Sequence, residues 1–204
     1  MVSKRNGSTP AERLMQTATS LFAEESIRAV GIERLITEAQ VARASLYQCF
    51  GSKDALITAY LDQQHETDRA AYERAMAHVE DPVERALLFF DLAEASSRRS
   101  HYRGCPFLNA ATEFPDRRHP VSAVVLKRRE WLLDRLITAL RDAGADDPRT
   151  VAQRIQLLYD GGLAGSKVNR SSEPIRLAKH MAEELIARSR SCDRTGRRTP
   201  RSTD

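Results

Sequence analysis

One short segment of the sequence brings together side chains of several different hydrogen-bonding types. If residues 43–50 form a helix, the face that Leu46 and Phe50 leave free combines a cation, a small apolar group, a hydroxyl, a phenol and an amide and carries no acid. These are Arg43, Ala44, Ser45, Tyr47 and Gln48. The major groove of DNA presents hydrogen-bond donors and acceptors, thymine methyl groups and nearby phosphates. We therefore interpret this face as a DNA-reading surface.

The apolar pattern around this face predicts two short helices joined by a tight turn. Apolar residues recur at helical spacing before the turn and restart out of phase after it: Ile32, Leu35, Ile36 and Ala39, then Leu46 and Phe50. The break falls at Gln40-Val41. Two short helices that share a small core across such a turn are the helix-turn-helix arrangement.

The stretch from Gly31 to Leu56 resembles the N-terminal domain of TetR-type transcriptional regulators. Its end, SLYQCFGSKDAL, is similar to the family signature TLY-x-x-F-x-x-K-x-x-L, and FAEESIRAVGIERLITEAQVA is similar to the run before it. The resemblance covers about a quarter of the chain; beyond Leu61 only the helical layout and the length match. Glycine is usual in the family where this chain has Ser26 and Gln40, and Cys49 replaces a common aromatic residue or histidine.

The resemblance implies a division of labour among the DNA-binding residues. Arg43 and Ala44 occupy the positions at which the family reads base edges. Ser45, Tyr47 and Lys53 occupy positions that contact phosphate, and the free N–H groups at Gly31 and Ile32 favour anions. The complete predicted DNA-binding set is Gly31, Ile32, Arg43, Ala44, Ser45, Tyr47, Gln48 and Lys53. The alternative interpretation of the same side chains is an ordinary solvated helix face.

The whole chain is predicted to be all-α, with about nine helices, because no segment alternates long enough to form a strand. We expect three parts: a three-helix helix-turn-helix domain at 1–53 with its motif at about 32–51, a helical ligand-binding and dimerisation domain at 54–190, and a disordered basic tail at 191–204. The arginine-rich segment from Arg188 onward carries the whole net charge of +4, so overall basicity does not support DNA binding. The local chemistry of residues 43–48 supports it instead.

The larger domain is expected to bind a small-molecule effector and to form a homodimer. Candidate pocket residues are Phe89, Leu92, Ser96, Phe107, Asn109, Trp131 and Tyr159, with ordinary core as the alternative. The last two helices, Val151 to Ser166 and Glu173 to Ala187, have apolar faces and no further chain to cover them, which favours a dimer interface. Three glycines in the first of these helices, 161, 162 and 165, indicate either a close helix approach, as at a subunit interface, or a helix end or kink.

Other function classes receive little support from the sequence. The histidines form no dense cluster, and His101 with Cys105 is the best metal-ligand pair; Cys105 is more typical of a small buried hydrophobe than of a redox sensor. We find no catalytic motif, no cofactor motif, no transmembrane run and no signal peptide, and three cysteines fit reduced thiols.

The sequence therefore predicts a cytoplasmic, ligand-responsive transcriptional regulator, not an enzyme, that binds a near-palindromic DNA operator as a homodimer without membrane association. By the family's habit, repression is favoured over activation. The alternative is an all-α metal- or redox-sensing protein, or a small helical enzyme, with a decayed helix-turn-helix.

Overall fold

The computed structural model describes residues 7–99 and 102–190, and within these ranges the chain forms nine α-helices and no strand. The helices are α1 (Pro10–Glu24), α2 (Ile32–Ala39), α3 (Arg43–Phe50), α4 (Lys53–Met76), α5 (Pro82–Ser97), α6 (Pro106–Glu113), α7 (Pro120–Asp142), α8 (Pro148–Asn169) and α9 (Glu173–Ser189). The all-α prediction is thus confirmed. The tail predicted to be disordered, 191–204, lies outside the described residues, as does His101.

Local signals determine where several helices begin. Thr9 and Glu12 form a reciprocal capping box at α1, in which each side chain accepts a hydrogen bond from the other residue's backbone N–H. Asp81 caps α5 through the N–H of Val83, and Asp147 caps α8 through the N–H of Thr150. Proline in the first turn follows each of these caps, where its missing N–H has no intrahelical role.

The chain divides into two compact units, and the three boundaries fall within α4, just after α5 and within α7. The first unit comprises the chain to Ala70 together with Arg99–Arg129. Its core joins the buried faces of α1, α2, α3 and the start of α4 to apolar residues of α6 and α7. Phe22 and Tyr60 meet edge to face within it, with ring centroids 5.2 Å apart. The small helices α2 and α3 are therefore anchored in a core considerably larger than their own.

The second unit, Ala71–Arg98 and the chain from Glu130, is built on α5, α8 and α9. The two residues Asp91 and Glu94 of α5 form ion pairs with α9, at 2.6 Å to Lys179 and 3.3 Å to Arg176. These pairs are solvent-exposed to varying degrees, so their contribution to stability is small. Burial of apolar side chains between the helices is the larger stabilising term.

The glycines of α8 lie inside the helix, which rules out the helix-end interpretation. A Cβ atom on Gly162 would lie 3.0 Å from Cβ of Ala178, and one on Gly165 would lie 2.9 Å from Cβ of Pro174. These glycines therefore allow α8 and α9 of the same chain to approach closely. Gly161, in contrast, lies on the exposed side of α8, with nothing in the described chain within 4 Å of a Cβ atom placed there.

We expect Gly162→Ala to destabilise the chain by about 1–3 kcal/mol, since the added methyl group would meet fixed atoms of α9. Two of these are backbone atoms, Cα of Ile175 and the carbonyl oxygen of Pro174, each 3.2 Å from the new Cβ. The matched control is Gly161→Ala, which should stabilise by up to about 1 kcal/mol because alanine favours the helix. Urea denaturation monitored by circular dichroism measures both, and equal effects of the same sign would contradict the prediction.

In the described part of the chain, no helix is long and apolar enough to cross a lipid bilayer.

Candidate nucleic-acid interface

The helix-turn-helix is built by α2, a tight turn and α3. Gln40 ends α2 in the left-handed conformation, with φ 54° and ψ 49°, and its N–H lies in hydrogen-bonding range of Thr37 O at 3.1 Å. The N–H of Val41 then bonds to Ile36 O at 3.0 Å, which closes the turn. Leu46 is fully buried on the inner side of α3, so the opposite side of this helix faces solvent.

The predicted reading residues lie on this solvent-facing side of α3. Arg43, Ala44, Tyr47 and Gln48 are exposed, and Ser45 is half-buried. Tyr47 keeps 43% of its surface accessible, which is unusual for a residue of its size. No acidic residue occurs in the first turn of α3. A cation, a phenol and an amide are therefore presented together from one short, rigidly anchored helix.

An acid that the sequence reasoning did not consider lies beside this surface. The guanidinium of Arg43 pairs with the carboxylate of Glu33, in the first turn of α2. Both side chains are more than half exposed, so the pair is open to competition by other anions. Arg43 itself lies at the positive end of the α3 dipole, where a cation is unfavourable without such a partner.

The start of α2 fits the predicted phosphate contact in its backbone. Gly31 is the N-cap of α2, adopts an extended conformation and provides no side-chain cap for the helix. The N–H groups of the first turn lack intrahelical partners by the geometry of a helix, and they favour an anion. Ile32 itself is half-buried and packs against the core, so it contributes its backbone here and not its side chain.

Lys53 lies in a more constrained position than the sequence suggested. Its Nζ donates to the carbonyl oxygen of Arg28 at 3.0 Å, which connects the start of α4 to the turn between α1 and α2. Partial burial lowers the pKa of Lys53 from its usual value. An ammonium held in this way is already oriented, and any DNA contact that it makes is tied to the position of that turn.

The predicted pocket residues fall into different environments. Phe89, Trp131 and Tyr159 pack on one another in the second unit; Phe89 and Trp131 meet edge to face at 5.6 Å between ring centroids. Tyr72 stacks on Phe89 at 4.4 Å between ring centroids and was not among the predicted pocket residues. On α5 of the same unit, Leu92 and Ser96 are half-buried.

Phe107 and Asn109 belong to the first unit, unlike the other five pocket candidates. Phe107 is buried beneath the guanidinium of Arg128, whose carbon lies 5.5 Å from the ring centroid. Asn109 donates from Nδ2 to Arg103 O at 3.1 Å, so a protein group satisfies this amide donor. Local hydrogen bonding therefore accounts for at least part of the hydrogen-bonding capacity of Asn109.

A buried polar group near Phe107 was also missed by sequence reasoning. Arg128 is almost fully buried and donates from Nη2 to Oδ2 of Asp68 at 3.1 Å. His65 is buried on the same helix as Asp68, and burial together with the charge of Arg128 lowers its pKa. The sequence signal for this buried polar group was the spacing of His65 and Asp68, which places both on one face of a helix. Polar residues at such positions usually face solvent, so the signal was not recognised.

Cys105, the thiol candidate, lies in surroundings that disfavour a reactive thiolate. Burial raises the pKa of Cys105, which disfavours the thiolate that redox chemistry requires. Within residues 7–99 and 102–190, no group of three or more His, Cys, Asp or Glu side chains is placed to hold a metal ion.

The conformation of Gln40 supports a stability prediction. Gln40→Gly should stabilise the first unit by roughly 1 kcal/mol, since glycine adopts a left-handed conformation without the steric cost that a Cβ atom imposes. The same substitution at Gln48, inside α3, should instead destabilise by about 1 kcal/mol. Thermal unfolding of the two variants against the unmodified chain tests this, and a lower melting temperature for Gln40→Gly would contradict the strain argument.

Comparison with known proteins gives two matching family models. The model of bacterial regulatory proteins of the tetR family matches residues 14–60, which include α2, α3 and the whole predicted DNA-binding set. The model of the tetracyclin repressor-like C-terminal domain matches residues 82–182. The first match covers the candidate interface and the second covers α5 to most of α9.

Individual relatives match along most of their length. The crystal structure of a TetR-family transcriptional regulator from Streptomyces coelicolor is 34% identical, with a TM-score of 0.84 over 89% of this chain and 97% of that chain. An uncharacterised HTH-type transcriptional regulator of Mycobacterium tuberculosis is 30% identical over 155 residues, 75% of this chain and 72% of the relative. The HTH-type transcriptional repressor NemR of Escherichia coli is 23% identical over 189 residues, 86% of this chain and 93% of the relative.

Proposed function

Because the chain belongs to the TetR family of helix-turn-helix transcriptional regulators, we propose that it is a ligand-responsive repressor that binds a near-palindromic operator as a homodimer. The observation that carries this proposal is the exposed, acid-free face of α3, presented by a helix-turn-helix that is anchored in a large core. Repression is supported by one relative, the HTH-type transcriptional repressor NemR. The cytoplasm is the compartment in which such a protein meets DNA.

Each predicted residue has a role in this proposal. Arg43 and Ala44, at the N-terminal end of α3, contact base edges, and Gln48 extends the contact along the groove. Ser45, Tyr47, Lys53 and the N–H groups that follow Gly31 hold phosphates and set the register of α3 on the duplex. Arg43 exchanges its ion pair with Glu33 for contacts to DNA.

A homodimer is needed because one α3 spans only a few base pairs. A two-fold dimer places two such helices on successive turns of the major groove, about 34–36 Å apart. Support for the interface comes from α8 and α9. Their exposed large apolar residues are Leu157 and Val168 on α8 and Leu177 and Met181 on α9. Apolar side chains clustered on two adjacent helices are typical of a protein–protein contact surface.

The effector is proposed to bind in the helical unit that contains the aromatic cluster of Tyr72, Phe89, Trp131 and Tyr159. Leu92 and Ser96, half-buried on α5, which also carries Phe89, would offer an apolar and a polar contact. Trp131 is the only tryptophan, so its fluorescence reports on any rearrangement of these rings. Binding of the effector shifts the dimer towards a spacing of its α3 helices that no longer matches the operator.

The experiment that tests the function is selection of a duplex from a random library, followed by affinity measurements across a salt series. A regulator should enrich a near-palindromic sequence and bind it more tightly than random duplex, with an affinity that falls steeply as salt rises. A chain that enriches no sequence and binds neither duplex would overturn the proposal. The rise in the pKa of Cys105 on burial argues against Cys105 itself as a redox-sensing thiol.

A further inference from the structure

The connection between α1 and α2 is held by the segment that carries α6. The carboxylate oxygen Oε2 of Glu113, the last residue of α6, accepts from Oγ of Ser26 at 2.8 Å and from the backbone N–H of Arg28 at 2.7 Å. The guanidinium of Arg28 in turn donates from Nη1 to the carbonyl oxygen of Glu113 at 3.3 Å. Residues more than eighty positions apart in sequence are thus joined by three hydrogen bonds at one point.

Two further contacts strengthen the same junction. Arg103, just before α6, donates from Nη1 to the carbonyl oxygen of Glu24 at the end of α1. From the opposite direction, Lys53 at the start of α4 donates to the carbonyl oxygen of Arg28. The connection is therefore fixed to α6 through Glu113 and to α4 through Lys53.

Ser26 bonds to Glu113 through its hydroxyl group, while its backbone carbonyl closes the turn. The positive-φ residues other than glycine in the described chain are Gln40 and Arg170, so Ser26 does not adopt the left-handed conformation. Glu25 ends α1 in an extended conformation instead, with φ −133°. The chain then makes a short turn, in which the N–H groups of Ala29 and Val30 bond to Ser26 O at 3.1 and 3.3 Å.

This turn leads directly into the start of α2. Ile27 and Val30 are buried on either side of Arg28, and Gly31 follows as the N-cap of α2. A shift of Ser26 and Arg28 therefore displaces the N–H groups that the proposed function assigns to phosphate binding. A carboxylate that accepts two hydrogen bonds is a strong, directional anchor for such a short turn.

We propose that Glu113 is a positioning residue for DNA binding, which fixes the start of α2 through Ser26 and Arg28 and couples the C-terminal end of α6 to the DNA interface. This inference rests on the proposed function. A movement of α6 that withdraws Glu113 releases the hydrogen bonds on one side of the turn and leaves Lys53 and the buried side chains of Ile27 and Val30 to hold it. The position of α6 is thereby transmitted to the phosphate-binding end of α2.

The test compares Glu113→Ala, Glu113→Gln and Ser26→Ala on the duplex that the unmodified chain selects from a random library. Glu113→Ala should weaken binding roughly tenfold, since two charge-assisted hydrogen bonds to the turn are lost. Removal of a negative charge would by electrostatics alone strengthen the binding of DNA, so the sign of the effect separates positioning from charge. Glu113→Gln should restore most of the affinity, because its amide oxygen can accept the same bonds.

The controls address folding and coupling. Thr112→Ala alters the neighbouring residue, whose hydroxyl bonds only within α6 to Leu108 O, and should leave the affinity for DNA unchanged. Ser26→Ala should weaken binding by a smaller factor, and the double variant with Glu113→Ala should be no weaker than Glu113→Ala alone. Circular dichroism at the assay temperature establishes that each variant is folded; if Glu113→Ala is not, Ser26→Ala and Glu113→Gln carry the test.

Each outcome has a separate meaning. An unmodified chain that binds no duplex overturns the proposed function, and this inference with it. An unmodified chain that binds, together with a folded Glu113→Ala that binds as tightly or more tightly, overturns the inference alone. Additive losses from Ser26→Ala and Glu113→Ala would also overturn it, because they would show that the two side chains act independently.

Discussion

Replacement of Arg43 with alanine is expected to weaken operator binding by about 1–3 kcal/mol and to relax sequence preference at one base pair in each half-site. Arg43 is the first residue of α3, at the end that the proposed function places in the groove, and its side chain is exposed. A guanidinium in this position can make two hydrogen bonds to the O6 and N7 atoms of guanine. Affinity for random duplex should change much less, since that term depends on the phosphates.

Lys53→Ala provides the contrasting variant. Lys53 lies at the start of α4, beyond the reading helix, and already donates to Arg28 O. Its loss should weaken operator and random duplex alike and lower the salt slope by about one if it contacts a phosphate. The measurement is the affinity of each variant for both duplexes across a salt series. An equal loss on both duplexes for Arg43→Ala, with a changed sequence preference for Lys53→Ala, would reverse the two roles.

Glu33→Gln shows how the ion pair of Arg43 affects this comparison. The carboxylate of Glu33 faces the same solvent region as Arg43 and repels phosphates. Its neutralisation should raise the affinity for random duplex, because Arg43 then offers its full charge to any backbone. Operator binding should gain less, since Arg43 is committed there to a base. The ratio of operator affinity to random-duplex affinity is therefore expected to fall.

The helical layout could be predicted from the sequence because its signals are local. Thr9 with Glu12, Asp81 and Asp147 cap helices within four residues of themselves, and their hydrogen bonds depend on little else. The turn at Gln40 was recognisable from the shift in apolar phase at Gln40-Val41. The structure shows the left-handed conformation that such a turn requires, even though the residue is not glycine.

Contacts between distant parts of the chain could not be predicted in this way. Nothing in the local sequence connects Glu113 with Ser26, since a glutamate at the end of a helix is typical of a solvated position. The glycines of α8 pointed to a close helix approach, but the sequence could not say whether the other helix belongs to the same chain. Asn109 and Phe107 were grouped with the aromatic residues by polarity and size alone, and the fold places them in a different unit.

The second prediction with a large effect concerns the proposed dimer interface. Leu177→Glu is expected to convert the protein to a monomer at micromolar concentration, since it places a charge in the exposed apolar surface of α8 and α9. Leu157 and Leu177, with 68% and 59% of their surfaces exposed, are the largest leucine contributions to that surface. On α8, Leu157, Gly161, Ala164 and Val168 follow one another at helical spacing and are all exposed, so they form a continuous stripe. A charge at the centre of such a contact loses its solvation without a partner.

Leu126→Glu is the matched control, because Leu126 on α7 is also a leucine with 55% of its surface exposed but lies outside α8 and α9. Sedimentation velocity should show a monomer for Leu177→Glu and a dimer for Leu126→Glu and for the unmodified chain. The loss of the second α3 should lower operator affinity by about 10²-fold or more, because simultaneous binding to two half-sites multiplies the two affinities. An isolated half-site should still bind the monomer as well as it binds one subunit of the dimer. A dimeric Leu177→Glu, or a monomeric unmodified chain, would place the interface elsewhere or remove it, and would leave the spacing of the two half-sites without its explanation.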